Sequence, residues 1–167
     1  MGRLPVVTLA PFETVVAEHG PVVLRVCRAV LGLQDAEDAW SETFLAALKA
    51  YPTIRADSNV RAWLVTIAHR KAIDGYRARR RMPTPTDALP DRAATDGRVG
   101  DLPDEALADA VMALPEKQRA AVSYRYLADL PYREIGELIG SNEAAARRSA
   151  ADGIAKLRRT YQHEESS

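Results

Sequence analysis

The sequence predicts an all-α fold made of two small helical domains joined by a flexible linker. Apolar residues recur every three or four positions along most of the chain, as they do in amphipathic helices, and no stretch alternates in the manner of a strand. A segment rich in proline and aspartate, residues 83–104, separates two such helical stretches. We therefore expect domains at 1–82 and 105–167, each with a modest core, because the chain has only 167 residues.

The charge of the chain is balanced overall but unevenly distributed. Residues 1–82 carry 12 Lys and Arg against 8 Asp and Glu, residues 83–104 carry 2 against 5, and residues 105–167 carry 9 against 10. A local basic surface decides the electrostatic field that a nearby ligand meets. A formal net charge of zero therefore does not exclude a nucleic-acid partner.

Several function classes are made improbable by what the sequence lacks. The single cysteine, Cys27, lies on an apolar helical stripe, so we expect a core residue, with no internal disulfide and no Cys-rich zinc site. The three histidines have no ligand partners at metal-binding spacing, and there is no Gly-rich phosphate loop or nucleophile motif. The sequence predicts no catalytic residue, no metal and no cofactor. With no apolar run of about 20 residues and no signal-peptide pattern, it predicts a cytoplasmic protein without membrane insertion.

Two helices are predicted ahead of residue 51. The first covers 12–31 and contains Gly20 and Pro21, which predict a kink or a division into two short helices. The second covers 36–50, with Asp35 as its N-cap. Its predicted buried stripe consists of Trp40, Phe44, Leu48 and Tyr51.

The opposite side of this second helix is polar and acidic. The residues concerned are Glu37, Asp38, Ser41 and Glu42. Acidic side chains in the first turn of a helix are stabilised by the positive end of the helix dipole. Capping and solubility are therefore one explanation for these residues. A binding surface for a basic partner is the alternative.

A loop at 52–58 leads into a third helix, which covers 59–81 and has two different halves. The first half carries apolar residues at helical spacing: Val60, Trp63, Leu64 and Ile67. The second half is basic: Arg70, Lys71, Arg77, Arg79, Arg80 and Arg81. A solvated surface helix and a nucleic-acid-binding helix both fit this pattern, and the anchoring Trp63 favours the second.

The second domain is predicted to contain four helices. Residues 106–114 form the first, and Pro115 lies in the first turn of the next, which covers 116–127. A short helix follows, with Asp129 as its N-cap and Pro131 in an early turn. It buries Ile135, Leu138 and Ile139 and closes at Gly140.

The last helix, 143–161, completes a pattern typical of a helix-turn-helix. Two helices joined by a tight turn containing Gly140 fit this motif, whose second helix enters the DNA major groove. Many helical hairpins share the pattern without binding DNA. Arg147 and Arg148 favour DNA, because they fall in the first turns of the second helix, where base edges are contacted.

Three segments together resemble one family, the sigma-70 type transcription initiation factors, and in particular their extracytoplasmic-function group. Residues 35–44 (DAEDAWSETF) are similar to the family's helix that binds core RNA polymerase. Residues 61–70 (RAWLVTIAHR) resemble the helix that melts and recognises the minus-ten promoter element. Residues 114–119 (LPEKQR) and 132–140 (YREIGELIG) resemble the domain that recognises the minus-thirty-five element. The resemblance implies a sigma region 2-like helical bundle followed by a sigma region 4-like helix-turn-helix.

The resemblance also implies roles for individual residues. Binding to the largest-subunit coiled coil of core RNA polymerase falls to Glu37, Asp38, Ser41 and Glu42. Binding to minus-ten DNA falls to Asn59, Arg61, Arg70, Lys71, Arg77, Arg80 and Arg81. Binding to minus-thirty-five DNA falls to Arg133, Ala145, Arg147 and Arg148. The polymerase flap, promoter DNA and an anti-sigma factor are the further partners implied. The function expected is promoter-directed transcription initiation by an alternative sigma factor, without enzymatic activity.

Some positions depart from the family pattern. The helix at 143–153 lacks the usual Thr-Val and Arg-Ala pairs, and Asp152 places a negative charge near DNA. From Ala146, Ala150, Asp152 and Gly153 we expect weaker docking of this helix or altered recognition of upstream DNA. His69, read as part of the DNA-facing helix or as a solvated surface residue, and Arg70 stand where Arg-Asn is common. These departures leave open a second function, a sigma-like DNA-binding regulator without full initiation activity.

Overall fold

The computed structural model describes residues 9–81 and 105–165, and within them the fold is all α, as predicted. The predicted linker, 83–104, lies outside the described residues. One 3₁₀ turn, Tyr51–Thr53, follows the second helix. The α-helices are α1 Phe12–Leu31, α2 Leu33–Ala50, α3 Val60–Arg81, α4 Glu105–Met112, α5 Glu116–Tyr126, α6 Tyr132–Leu138 and α7 Glu143–Glu165.

Helix α1 runs unbroken through Pro21, so the division into two short helices is wrong. The Pro21 ring is exposed, on the side of α1 that faces solvent. One residue earlier, the carbonyl oxygen of Gly20 accepts a hydrogen bond from the indole Nε1 of Trp40 at 3.0 Å. A Cβ on Gly20 would lie 3.5 Å from the Trp40 ring. The hydrogen bond from the Trp40 indole therefore links α2 to α1 at Gly20, where the lack of a side chain leaves room for the ring.

Helix α2 starts earlier than predicted, and its predicted buried stripe is right at Phe44 and Tyr51 but wrong at Leu48. It begins at Leu33 after Gly32, whose φ is +86°, so Asp35 lies in the first turn and is not the N-cap. Leu48 is 52% exposed, and its assignment to the core is wrong. The buried side chains are mostly small, which lets α2 lie close to α1 and α3. They are Ala36, Ala39, Thr43, Phe44 and Ala47.

Helix α3 is buried along two of its sides. Leu64 and Ala68 join the core formed with α1 and α2, as does the buried Cys27, whose pKa burial raises to about 12. Ala62 and Val65 join a different cluster, formed with helices from the second half of the chain. A helix enclosed in this way is fixed in position over its first half.

Prolines precede α5 and α6 as N-cap residues rather than within their first turns. Pro115 and Pro131 both have extended backbones, with ψ of 147° and 146°. Asp129, the predicted N-cap of α6, lies two residues earlier with a φ of +54°. That left-handed conformation turns the chain between α5 and α6, and Asp129 therefore does not cap α6.

Helix α7 is well seated, which contradicts the expectation of weak docking. Ala146 and Ala150 are fully buried. A Cβ on Gly153 would lie 2.6 Å from Cγ2 of Val122 in α5. The three small residues therefore let the α7 backbone pack closely against its neighbours, with Gly153 in contact with α5.

The two helical units share a core. One buried cluster contains Val26 and Val65 from the first unit together with Tyr124 and Ile135 from the second. The guanidinium of Arg119 crosses the same boundary. It donates hydrogen bonds to the carbonyl oxygen of Val30 in α1 at 3.2 Å and to those of Met112 and Leu114 at 2.7 and 3.1 Å. We call this boundary the seam.

Candidate functional site

The first candidate surface is the outer face of α2, where all four predicted polymerase-binding residues are exposed. Glu37, Asp38, Ser41 and Glu42 lie on the side of α2 opposite its buried stripe. Leu45 and Leu48 continue this face toward the C-terminus, four and seven residues after Ser41, and are 60% and 52% exposed. We call these six residues the α2 face.

Two leucines on an acidic face are a combination typical of a protein interface. Apolar side chains that are exposed together, with charged residues at their edge, mark surfaces that become buried against a partner. The sequence interpretation missed Leu45 and assigned Leu48 to the core. The missed signal was the series of small residues on α2 at spacings of three and four. Such a stripe can form the buried side of a helix and leave the leucines on its exposed side.

The second candidate surface is the basic end of α3. Arg70 is exposed, Lys71 is half-buried, and Asp74 is exposed one turn beyond Arg70. The α3 backbone remains helical to Arg81, so Arg77 and Arg81 fall on the same face as Arg70 by helical spacing. The side chains of Arg77, Arg80 and Arg81 lie outside the part of the chain that the structure describes.

Arg61 is not brought together with this basic end. It lies nine residues before Arg70, which places the two on opposite sides of α3. Arg61 is half-buried and close to His19 of α1. Burial lowers the pKa of His19, the charge of Glu18 opposes this, and the positive charge of Arg61 adds to the lowering. Arg61 therefore lies on the side of α3 where its charge acts on His19 of α1, away from Arg70.

Asn59 has a structural use at the start of α3. Its side-chain oxygen accepts a hydrogen bond from the backbone N–H of Ala62 at 3.2 Å, and its carbonyl oxygen accepts one from Trp63 at 3.0 Å. These contacts make Asn59 the N-cap of the helix. Its side chain remains exposed.

Two aromatic rings pack together at the two ends of the loop that precedes α3. Trp63 is half-buried, with its ring centroid 6.4 Å from that of the buried Tyr51, which agrees with its predicted anchoring role. On the loop itself, Nε of Arg55 lies 3.4 Å from a carboxylate oxygen of Asp57, and both side chains are exposed. An ion pair this exposed contributes little to the stability of the loop.

His69 belongs to the seam, so its assignment to a DNA-facing or solvated position is wrong. Its Nδ1 lies 2.5 Å from the hydroxyl of Tyr124 in α5. Burial lowers the pKa of His69, while a hydrogen bond with the Leu138 backbone and the charge of Glu116 partly oppose the shift. The histidine is therefore neutral near pH 7 and links α3 to α5.

The third candidate surface is the helix-turn-helix formed by α6 and α7. A Cβ on Gly136 would lie 2.5 Å from the backbone carbon of Asn142, so the two helices meet too closely for any side chain there. Gly140 has a φ of +70°, and the Ser141 N–H donates to the Gly136 oxygen at 2.7 Å. The Asn142 side chain caps α7 by accepting the Ala145 N–H at 2.8 Å. The sequence interpretation identified Gly140 but missed Gly136 and Asn142.

This motif presents its arginines to solvent. Arg133, Arg147 and Arg148 are exposed, whereas Ala145 is half-buried next to the turn. Asp152 is also exposed and lies one turn after Arg148 on the same side of α7. Arg148 and Asp152 form no ion pair with each other among the described residues.

Residues 9–81 and 105–165 contain neither a cluster suited to a metal ion nor a helix suited to spanning a membrane. These residues contain no group of three or more His, Cys, Asp or Glu side chains placed to hold a metal ion. None of their helices is long and apolar enough to cross a membrane.

Comparison with known protein families finds two matches in consecutive parts of the chain. The family model for sigma-70 region 2 matches residues 15–82, and that for sigma-70 region 4 matches residues 104–157. The first match contains the α2 face and the basic end of α3. The second contains the helix-turn-helix. Both predicted regions are confirmed, in the predicted order.

Individual relatives agree with the family matches. RNA polymerase sigma factor CarQ of Myxococcus xanthus is 31% identical over 157 residues, which are 88% of this chain and 87% of CarQ. The ECF RNA polymerase sigma factor BldN of Streptomyces coelicolor is 36% identical over 121 residues, which are 68% of this chain and 46% of BldN. The chain thus spans less than half of BldN.

Two solved structures share the fold. The sigma factor RpoE of Bartonella quintana, solved with the anti-sigma factor NepR, has a TM-score of 0.75 at 18% identity, covering 90% of this chain and 96% of RpoE. CnrH, solved with the cytosolic domain of CnrY, has a TM-score of 0.66 at 23% identity, covering 91% of this chain and 88% of CnrH. The likeness to the ECF sigma factor BldN agrees with the extracytoplasmic-function group. From the two matched regions and the likeness to CarQ, the chain belongs to the sigma-70 family of RNA polymerase sigma factors.

Proposed function

We propose that this sigma factor binds core RNA polymerase through the α2 face and contacts promoter DNA through the basic end of α3 and through the helix-turn-helix. One observation carries the proposal. A single frame of buried helices exposes an acidic, leucine-containing face and two arginine-bearing surfaces, in the order of the family regions. Together these surfaces can join a polymerase to a promoter.

The α2 face suits a helical partner with basic residues at its edges. Leu45 and Leu48 would supply the apolar centre, and Glu37, Asp38 and Glu42 the surrounding charge. Charge complementarity of this kind sets orientation and the rate of association, while buried apolar side chains supply most of the binding free energy. The coiled coil of the polymerase's largest subunit is the partner we propose.

The basic end of α3 would bind the minus-ten element as it opens. Arg70 and Lys71 would neutralise phosphates, with Arg77, Arg80 and Arg81 extending the same track along the helix. Each phosphate neutralised on B-DNA steepens the dependence of log K on log salt by about 0.9. The loop before α3 would hold a base extruded from the stack, and its contacts must replace a few kcal/mol of lost stacking.

The helix-turn-helix would bind the minus-thirty-five element. Arg147 and Arg148 lie in the first turns of α7, from which a recognition helix contacts base edges in the major groove. Arg133 at the start of α6 would contact phosphate. Asp152 would repel phosphate from the same side of α7, so an Asp152→Arg variant should bind upstream promoter DNA more tightly.

The alternative, a DNA-binding regulator without initiation activity, loses one of its motives. That motive was the expected weak docking of the last helix, yet the small residues of α7 are buried against neighbouring helices.

RpoE and CnrH were each solved with another protein bound: NepR in the first case and the cytosolic domain of CnrY in the second. By analogy we propose that a protein regulator binds this chain. We also propose that the chain itself acts in the cytoplasm and catalyses no reaction.

Binding to purified core polymerase tests the proposal. A Leu45→Ser, Leu48→Ser variant should bind core at least tenfold more weakly, with an unchanged melting temperature because both leucines are exposed. The matched control is the triple variant Arg77→Ala, Arg80→Ala, Arg81→Ala. It should bind core normally and fail to open promoters. If the wild-type chain does not bind core at physiological salt, the proposal is wrong.

A further inference from the structure

The ring of Tyr132, the first residue of α6, lies beneath two arginine side chains. The guanidinium carbon of Arg125 is 4.8 Å from the ring centroid, and that of Arg147 is 5.2 Å from it. Both distances fall within the range at which a cation is attracted to the face of an aromatic ring. Tyr132 is half-buried and also packs against the core shared by the two units.

Each of the two arginines has a second, acidic contact. Arg147 donates through Nη2 to a carboxylate oxygen of Glu143 at 3.1 Å, one turn earlier on α7. Arg125 donates through Nη1 to the Leu130 carbonyl oxygen at 3.2 Å and lies 3.9 Å from the carboxylate of Asp129. The separate carboxylates reduce the repulsion between two cations that share one ring.

These contacts restrict Arg147 without burying it. Its side chain is held by Glu143 and by the Tyr132 ring, yet 61% of it remains exposed. A long flexible arginine loses rotamer freedom when it binds, and a side chain already held in place loses less. Arg148, one residue later, has neither of these contacts among the described residues.

We infer that Tyr132 is a positioning residue for DNA recognition: its ring holds the Arg147 guanidinium in the orientation that meets the base edges. The inference rests on the proposed function of α7 as the recognition helix. It assigns the effect to the aromatic face of Tyr132 and not to its hydroxyl. It also makes Tyr132 and Arg147 one unit, so losing both should cost no more than losing Arg147.

The test measures DNA binding by the full chain in complex with core polymerase. Duplexes selected by the wild-type complex from a random upstream library serve as the probe. Arg147→Ala should bind them about tenfold more weakly and lose base preference at one position. Tyr132→Leu, which keeps an apolar side chain, should bind two- to fivefold more weakly and lose preference at that same position. Tyr132→Phe should behave as the wild type.

A double variant separates positioning from a general structural effect. Tyr132→Leu combined with Arg147→Ala should match Arg147→Ala alone, because the two residues act through one contact. Additive losses, or a Tyr132→Phe variant as weak as Tyr132→Leu, would overturn the inference. If Arg147→Ala leaves both binding and base preference unchanged, the proposed role of α7 itself fails.

Discussion

Two glycines show how a single side chain decides what this fold tolerates. At Gly136 a Cβ would lie 2.5 Å from the backbone of Asn142, which cannot move without opening the turn between α6 and α7. At Gly75, inside α3, nothing lies within 4 Å of the position a Cβ would take. The same chemical change therefore has opposite expected effects at the two positions.

We predict that Gly136→Ala destabilises the protein and Gly75→Ala does not. The first substitution overpacks a backbone contact and should lower the free energy of unfolding by about 1–3 kcal/mol. The second removes backbone freedom from the unfolded chain and should raise it by about 0.5–1 kcal/mol. Urea unfolding followed by circular dichroism measures both. Equal effects of the two substitutions would show that the turn between α6 and α7 is not as close as described.

Asn59 carries a second prediction at the level of one residue. Its side chain caps α3, so Asn59→Ala should cost about 1 kcal/mol of stability, whereas Asn59→Ser, which retains a cap, should cost little. Thermal melts distinguish the two variants. If Asn59 also contacts minus-ten DNA, Asn59→Ser should reduce promoter opening although the protein is stable. Normal opening by Asn59→Ser would limit Asn59 to capping.

At the scale of the helix, small residues set the positions of α2 and α7. Ala36, Ala39 and Ala47 form most of the buried side of α2. Ala146, Ala150 and Gly153 form most of the buried side of α7, together with Leu157. Because these side chains are small, the helices approach closely and the core is filled without large side chains. This geometry is also what leaves Leu45 and Leu48 on the outside of α2.

Sequence periodicity predicted the helices well and their orientation less well. The C-terminal ends of α2 and α3, the glycine turn and the arginines of α7 all followed from local patterns, because prolines, turn residues and helical spacing act over a few residues. The stripe predicted for α2 was right at Phe44 and Tyr51 but wrong at Leu48, because it weighed large apolar residues above small ones. His69 was misplaced because its partner, Tyr124, lies 55 residues away in the sequence. No local pattern encodes such a contact.

An element-level prediction concerns the close contact between α5 and α7. Gly153→Ala should destabilise the protein, because the added Cβ meets Cγ2 of Val122 at 2.6 Å. Val122→Ala should in turn leave a cavity. The double variant should be more stable than the sum of the two losses predicts, since the new methyl group fills part of that cavity. Strict additivity in urea unfolding would contradict direct contact between these two positions.

For the molecule as a whole, the seam makes the two units one cooperative structure. Val26 and Val65 are buried together with Tyr124 and Ile135, and Arg119 and His69 add polar links across the boundary. We expect a single thermal transition rather than two. The α2 face and the arginines of α7 are exposed while the seam is formed, so both remain available for binding.

The seam should weaken in acid. Burial lowers the pKa of His69 in the folded chain below its ordinary value of 6.5, so the unfolded chain binds the proton more readily. Its contribution to stability is therefore complete above pH 6.5 and is lost as the pH falls through the folded pKa. The melting temperature should fall between about pH 7.5 and 5.5, above the range in which unperturbed carboxylates titrate.

The control for this effect is His69→Gln, which cannot titrate and should show a shallower pH dependence. Burial also lowers the pKa of His19, so that histidine contributes with the same sign. A variant with both histidines replaced should be nearly independent of pH in this window. A slope unchanged by His69→Gln would show that the histidine at the seam does not govern the acid response.

Run-off transcription with purified core polymerase tests the central claim most directly. Genomic DNA fragments crosslinked to the chain together with polymerase serve as templates. The account predicts discrete transcripts when the wild-type chain is added to core, and none when the variant lacking Arg77, Arg80 and Arg81 is added, although that variant binds core. Transcription no greater than that of core alone, from every template that the chain occupies, would contradict it.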